Sequence, residues 1–580
     1  MRKTTFLYCF LLVMFLVAES AQAWVTNVEK LASAEPDECY VGIGQPYPDF
    51  LPVPPNDPLT CPADAFAKTN QTYVWGSAVV PAVDSPTEQG EQLWFGTGGN
   101  ILCTTQGAFF SEVSPGGYGS SVCEFGDSQI ATQFSNLPPH YGDWRPPRIY
   151  QYDLETRTII DRTPYSDPLR NRCLGLRSAG YNNGVVFLAG GNLGGGLSMF
   201  AFNAATGEYL GSQEFTAYRT IRKWLVVNNV LYTGVGTSYT GRILRWTGSV
   251  SNPWSFSEVG RVSGVPRELT EYIDGDGRSR IAVSARGIFL SPAIYGTGLS
   301  SWQAYSWTEI WSPDQYEPDF VTRTTYVGGG IGFLNGWLYF GTMHIPGNAA
   351  GLHITCSIPP YGIPLSSDVC FGAHSEEDAT TYSSSISTGT ERATSIWRIK
   401  NAEDSNNRVT QLLYGEAQLR AFNPDYANSA NYPDNLTADD IFPLVPNVGG
   451  YEPLLGSSGF NWPYNNYAWV MTVAAGHLFV GTMDYSSLFD PTGGYDAAYG
   501  LNTGFDLWRI DDNGDDPPFV EAETITAFAE YPGIYTYRPY GVRTLVKSTD
   551  GTKLYLGTAT GVNVGAVGQG AGWQLLELAP

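Results

Sequence analysis

Short stretches of alternating apolar and polar residues recur along the whole chain, and each is entered through a tight polar turn. The clearest are Gly476-His-Leu-Phe-Val-Gly-Thr482, Asn335-Gly-Trp-Leu-Tyr-Phe-Gly-Thr342 and Gly551-Thr-Lys-Leu-Tyr-Leu-Gly-Thr558. Weaker copies begin at Gln92, Asn183, Asn228 and Asp276. A turn, four or so β-formers and then small residues spell the second strand of a repeated unit. An apolar first strand precedes it, as in 73–80 and 467–474. An amphipathic third strand follows, as in 148–153, 197–202, 242–246, 395–399 and 506–510. A more polar outer strand closes the unit, as in 208–213 and 409–413. Alternating faces suit half-buried antiparallel strands. No helix-length periodic segment competes with this pattern.

Counting second strands predicts an all-β fold, a seven-bladed β-propeller over 72–580 with long loop insertions on one face. The last unit supplies only three strands before the chain stops at Pro580. The segment 24–30, with Val25 and Val28, has the strand character to supply the fourth. Residues 24–71 are otherwise rich in Pro and Asp and read as an extended segment.

One unit carries a more specific phrase, Met199-Phe-Ala-Phe-Asn-Ala-Ala-Thr-Gly-Glu-Tyr-Leu210. It resembles the repeat of the quinoprotein-like (PQQ-type) β-propellers, and 150–159 is a poorer copy. The resemblance implies a propeller. A quinone-dependent dehydrogenase of that family would also bring eight blades and adjacent cysteines, and this sequence has no Cys-Cys pair. No cofactor is therefore expected.

Residues 1–23 read as an export signal: Arg2 and Lys3, an apolar run from Phe6 to Val17, then Ala21-Gln-Ala23. That run is too short to span a bilayer, and no other stretch approaches the length required. The expected location is secreted, periplasmic or on the cell surface. The chain carries a formal net charge of −24, a field that repels nucleic acid and anionic membranes. In an oxidising compartment, neighbouring cysteines suggest Cys39–Cys61, Cys103–Cys123 and Cys356–Cys370, leaving Cys173 over.

Strand order puts the long insertions 99–147, 343–394 and 484–504 on one face, with the crossover 416–466. Long loops on a rigid scaffold are where function concentrates. Their aromatics Trp144, Tyr361, Phe371, Trp462 and Tyr464 are the candidate binding residues, the expected partner being a protein or a polysaccharide. His344 and Asp484 both follow a Gly-Thr-Met, and with Asp378 they are the candidates for acid–base chemistry on a glycan. Asp274 and Asp276, and Asp511, Asn513 and Asp515, have the alternating oxygen donors of calcium loops, yet lack the full twelve-residue pattern. They also sit at expected hairpin turns. A non-catalytic binding scaffold is thus the leading expectation. A glycan-active enzyme and a surface assembly subunit, the latter consistent with an unpaired Cys173, are the alternatives. The sequence fixes no oligomeric state.

Overall fold

The computed structural model describes residues 27–579 except 43–60, 64, 83–89, 110–115, 119–120, 125–140, 142, 238–239, 359–362, 373–375, 430, 432–435, 489–503, 515, 525–538 and 565–570. The expected leader 1–23 lies outside the described residues.

The first-to-second strand turns explain the polar phrase that announces each repeat. Asn183 and Gly184, Asn335 and Gly336, and Ala475 and Gly476 all have positive φ, as do Asn228 and Asn229. Two consecutive left-handed residues match the twist of the strands they join, and Asn and Gly adopt that conformation most readily. The resulting hairpins pair Val185 with Asn182, Trp337 with Leu334 and His477 with Ala474.

Strands then add antiparallel in chain order. Ser178–Asn182, Val185–Gly191, Leu197–Asn203 and Tyr209–Phe215 form one four-stranded sheet, and two more span 220–263 and 268–311. The same meander recurs in a larger sheet, whose four-stranded runs are joined only through the single pairs Met343–Tyr467, Met483–Gly541 and Ala559–Tyr73. First strands stand side by side in a closed cycle. Gln71–Val80 lies against Ser178–Asn182 on one side and Gly541–Lys547 on the other. A ring of antiparallel four-stranded sheets about an axis is a β-propeller.

The recurring Gly-Thr pair has a packing reason. A Cβ at Gly96, Gly341, Gly481 or Gly557 would run into Leu176, Ala468, Val542 or Val74, which belong to the start of the next sheet. Glycine lets neighbouring sheets approach at the axis. The threonine then ties its strand to the start of the third: the N–H groups of Arg148, Ser395, Asp506 and Gln574 donate to Thr97, Thr342, Thr482 and Thr558 at 2.8–2.9 Å.

The core lies between adjacent sheets. Phe187 stacks on Trp224 of the following sheet with ring centres 5.1 Å apart. The ring closes through Trp573, Leu575 and Tyr555, which pack on Val74, Leu93 and Phe95. The last three strands are completed by Asn27–Ser33, paired antiparallel with Gln574–Ala579 so that Val28 faces Leu578. Residues 24–26 of the expected strand lie outside the described residues, and the pairing runs on to Ser33.

The extended segment contains one hairpin, Glu38–Tyr40 with Phe66–Lys68. Lys68 is fully buried and donates to Glu124 at 2.9 Å and Asp143 at 3.0 Å. These contacts fix the hairpin against the first insertion. The three expected disulfides are present, and each of Cys103–Cys123 and Cys356–Cys370 closes one insertion.

The insertions depart from the all-strand expectation. Ile101–Phe109, Asn348–Thr355 and Glu376–Thr390 are α-helices. The last escapes a periodicity search because Ser and Thr dominate it. Its fold comes from tertiary packing, with Tyr382 and Ile386 buried against Ile441 and Phe442 of the crossover. Among the described residues no helix is long and apolar enough to cross a membrane.

Candidate functional site

Four short helices on the insertion face pack in series: Phe320–Thr325, Asn348–Thr355, Glu376–Thr390 and Ala438–Ile441. Asp319 joins three of the segments. Its carboxylate caps the first helix through the Thr322 N–H at 2.7 Å, and accepts from the Phe422 N–H at 2.9 Å and from His353 Nε2 at 3.0 Å. Burial alone would raise its pKa, but these bonds outweigh burial and hold it at about 2. Beside it, Glu317 receives both arms of Arg392 at 2.8 and 2.9 Å and the Tyr326 hydroxyl at 2.9 Å. Arg392 is thereby fixed as a cation, a planar fork on a planar carboxylate.

Arg392 and Thr322 of this network line a recess of about 200 Å³ between the helices and the ends of the propeller strands. His344 enters it directly after the strand Trp337–Met343. Its Nε2 meets the Thr342 hydroxyl at 2.9 Å, and its ring stands edge-on to Tyr326. Nδ1 has no partner among the described residues. Burial, helped by the charge of Arg392, lowers the imidazole to about 3, so it is neutral near pH 7. Across the recess Glu391 accepts from the Tyr485 hydroxyl. The residue is exposed at the surface, while partial burial of its carboxyl moves the pKa upward.

The equivalence of His344 and Asp484 has structural content: they stand at the ends of matching strands in neighbouring sheets, His344 just past Met343 and Asp484 as the last strand residue. Yet their roles differ. Asp484 is fully buried and accepts from the Ser486 N–H and hydroxyl, from Trp462 Nε1 at 3.1 Å and from the Gly504 N–H. It shapes the turn that carries Tyr485 toward the recess. Asp378 lies on the helix Glu376–Thr390, its side chain outside the described residues. Glu391 is thus the only acid among the described residues lining the recess.

Of the five aromatics expected to bind, Trp462 and Tyr464 are half-buried beside this site, the Tyr464 ring 5.2 Å from that of Tyr485. Two others correct the expectation. Trp144 is fully buried and donates to the Cys173 carbonyl at 3.1 Å, and Phe371 is buried against Tyr382 and Tyr426. Both pack the insertions onto their supports. Tyr361 lies outside the described residues. Large exposed aromatics instead occur on the opposite face, with Trp302 and Tyr305 each 75% exposed in the loop before Thr308–Trp311. They escape the sequence pattern because they lie outside the long insertions where function was expected to concentrate.

The calcium-loop expectation is corrected by arginine. Asp274 accepts from Arg280 at 2.9 Å, from Arg278 at 3.0 Å and from the Asp276 and Arg278 N–H groups. Asp276 pairs with Arg278. Asp511 pairs with His477 and Arg509, while Asn513 is exposed and Asp515 lies outside the described residues. The carboxylates are thus turn-formers neutralised by cationic side chains. Among the described residues one trio of possible metal donors converges, Cys103, Cys123 and Asp143, but the two sulfurs are bonded to each other. Cys173 is buried and its thiol is pushed up to about 12, which removes it as an intermolecular link.

No protein-family model matches the chain, and no curated protein does. Among solved structures, the WD40 domain of SCAP from fission yeast is similar at 8% identity and a TM-score of 0.31, over 95% of this chain and 98% of that one. The Dos1 propeller is similar at 8% identity and a TM-score of 0.33, over 88% and 93%. The fold assignment rests on the strand pairing above. The phrase at 199–210 spans most of the strand Leu197–Asn203, the turn after it and the start of Tyr209–Phe215; in the turn Asn203 Oδ1 accepts from the Ala205 and Thr206 N–H groups.

Proposed function

We propose that this chain is an exported, seven-bladed β-propeller that binds a protein or polysaccharide through its insertion-bearing face. The three disulfides fit an oxidising compartment. The observation that carries the binding reading is the helical platform. Segments from one insertion and one crossover share a small core, Val321 of a second crossover packs on Leu352 and Cys370 beside it, and together they hold a preformed polar recess in place. Preorganised loops on a rigid scaffold bind without an ordering cost. Trp462 and Tyr464 supply amphipathic rim contacts, while His344, Glu391 and Tyr485 offer a neutral imidazole, a carboxyl and a hydroxyl to one polar group of the partner. A glycosidase would need two carboxyl groups roughly 5–10 Å apart across the scissile bond. Glu391 has no such companion among the described residues of the recess.

The test is an array of glycans and exported-protein peptides probed with wild type, Trp462→Ala and Tyr485→Phe. Trp302→Ala serves as a control on the opposite face. Binding that falls about tenfold in the first two variants and not in the third supports the proposal. Binding lost only with Trp302→Ala moves the partner to the other face. Release of reducing ends from a bound glycan, abolished by Glu391→Gln, replaces the scaffold reading with the enzyme reading.

A further inference from the structure

Four first strands bring an arginine toward the propeller axis. Arg177 and Arg267 immediately precede Ser178–Asn182 and Glu268–Ile273, and Arg222 and Arg543 are third in Thr220–Val227 and Gly541–Lys547. Their positive charges act on one another: Arg222 feels the other three, and Arg267 feels Arg177 and Arg543. Arg177, Arg222 and Arg543 line an axial cavity of about 170 Å³ together with Lys223 and Glu268. Glu268 is the only acid among the described lining residues; Lys223 holds it at 3.1 Å, and its single charge, which also acts on Arg543, is shared among several cations.

The guanidinium groups are left short of acceptors. Arg543 is 3% exposed, and neither its Nε nor its Nη2 makes a hydrogen bond among the described residues. The Nε atoms of Arg222 and Arg267 are in the same position. Aromatic faces cover part of the charge, with Arg177 4.5 Å from the Trp75 ring centre and Arg543 5.3 Å from that of Trp469. Such faces attract a cation but accept no N–H bond of ordinary strength. Guanidinium does not shed its proton in a protein, and an uncompensated buried charge is costly. The cluster is all the more notable in a chain of net charge −24.

We infer that the axial cavity is a binding site for a small oxyanion of the phosphate or sulfate class, held by Arg177, Arg222 and Arg543, with the charge of Arg267 adding to the local field. Several planar forks converging on one volume match the several oxygens of such a group. Tyr73, Trp469 and Tyr540 pack together at the insertion end of the axis. The cavity runs the other way, past Val79, Tyr181, Val226 and Val546 near the far ends of the same strands. The anion therefore reaches the arginines from the face opposite the insertions, independently of the recess at His344.

The experiment uses purified mature protein dialysed free of phosphate and sulfate. Thermal melting is followed with inorganic phosphate, sulfate, glycerol phosphate and chloride at matched ionic strength. Phosphate or sulfate stabilises wild type at concentrations at least about tenfold below chloride, and Arg543→Gln and Arg222→Gln each weaken that response about tenfold or more. In anion-free buffer Arg222→Gln melts above wild type, because repulsion is relieved. Tighter binding of glycerol phosphate than of phosphate assigns the site to an esterified group on a larger ligand, and the reverse order assigns it to the free ion. Oxyanions no better than chloride, or variants that respond like wild type, overturn the inference. Should the variants fail to fold, equilibrium dialysis of wild type with radiolabelled phosphate and sulfate decides it, since absence of saturable binding for both is equally fatal.

Discussion

Two carboxyls of the insertion face, Asp319 buried and Asp506 half-buried, are pushed in opposite directions by their surroundings. Asp319 has three well-placed donors and stays near 2 despite burial. Asp506 is raised to about 6, first by burial and then by the neighbouring charge of Asp484, with the Asn465 amide at 2.6 Å as partial compensation. The signs follow from linkage. The stability that Asp319 contributes is present above its unfolded pKa of about 4 and is lost as the pH falls toward 2. Asp506 binds its proton more tightly when folded, so its contribution is fully present below about 4. That contribution is lost as the pH rises through about 6, by up to about 3 kcal/mol. Asp143, raised to about 6 by burial against the pull of Lys68 and Arg145, acts with the same sign. Urea melts of Asp506→Asn between pH 4 and pH 7 are therefore expected to show about half the wild-type loss of stability. An unchanged slope would mean that the titration belongs elsewhere.

At the level of elements, closure of the ring rests on one strand contributed from the far end of the chain. Asn27–Ser33 pairs with Gln574–Ala579, and Val28 sits in the core with Leu545, Leu576 and Leu578. Without it the backbone of 574–579 becomes an open edge. Deleting 27–33 is expected to cost about 3 kcal/mol or more, from lost apolar burial and lost strand pairing. Deleting seven residues within 40–60 is expected to cost much less. Equal melting temperatures for the two deletions would show that closure does not depend on this strand. The helix Glu376–Thr390 shows the reverse dependence: its own sequence is a poor amphipathic helix, and the crossover it packs against provides its reason to form.

On the scale of the whole molecule, the proposed seven-fold arrangement predicts a simple image. Cryo-electron microscopy averages viewed along the axis are expected to show seven spokes, one of them formed by 541–579 together with 27–33. Six or eight spokes would overturn that count. The same view divides the molecule electrically, with an acidic chain wrapped around an axis lined by arginine.

Much of the fold was legible because its signals are local. The phrase from Gly476 to Thr482 contains most of the strand His477–Asp484, and the copy beginning at Asp276 leads into the strand Ser279–Ser284. Alternation, Asn-Gly turns and the Gly-Thr pair are each set by a few neighbouring residues and then repeated. The disulfides Cys103–Cys123 and Cys356–Cys370 were legible for the same reason, since each closes a short loop. The candidate site was only partly so. His344 and Asp484 stood out by their matching positions, but nothing in sequence separated a histidine facing a recess from a carboxylate spent on its own turn. Glu391, Arg392 and Tyr485 join His344 from separate segments, and Trp144 looked like a binding residue until its burial was seen. The axial arginines, spread from Arg177 to Arg543, become neighbours only when the ring closes. Local pattern fixes which residues form strands and turns; burial, charge balance and proton affinity depend on what arrives from across the fold, and that was decided by tertiary structure alone.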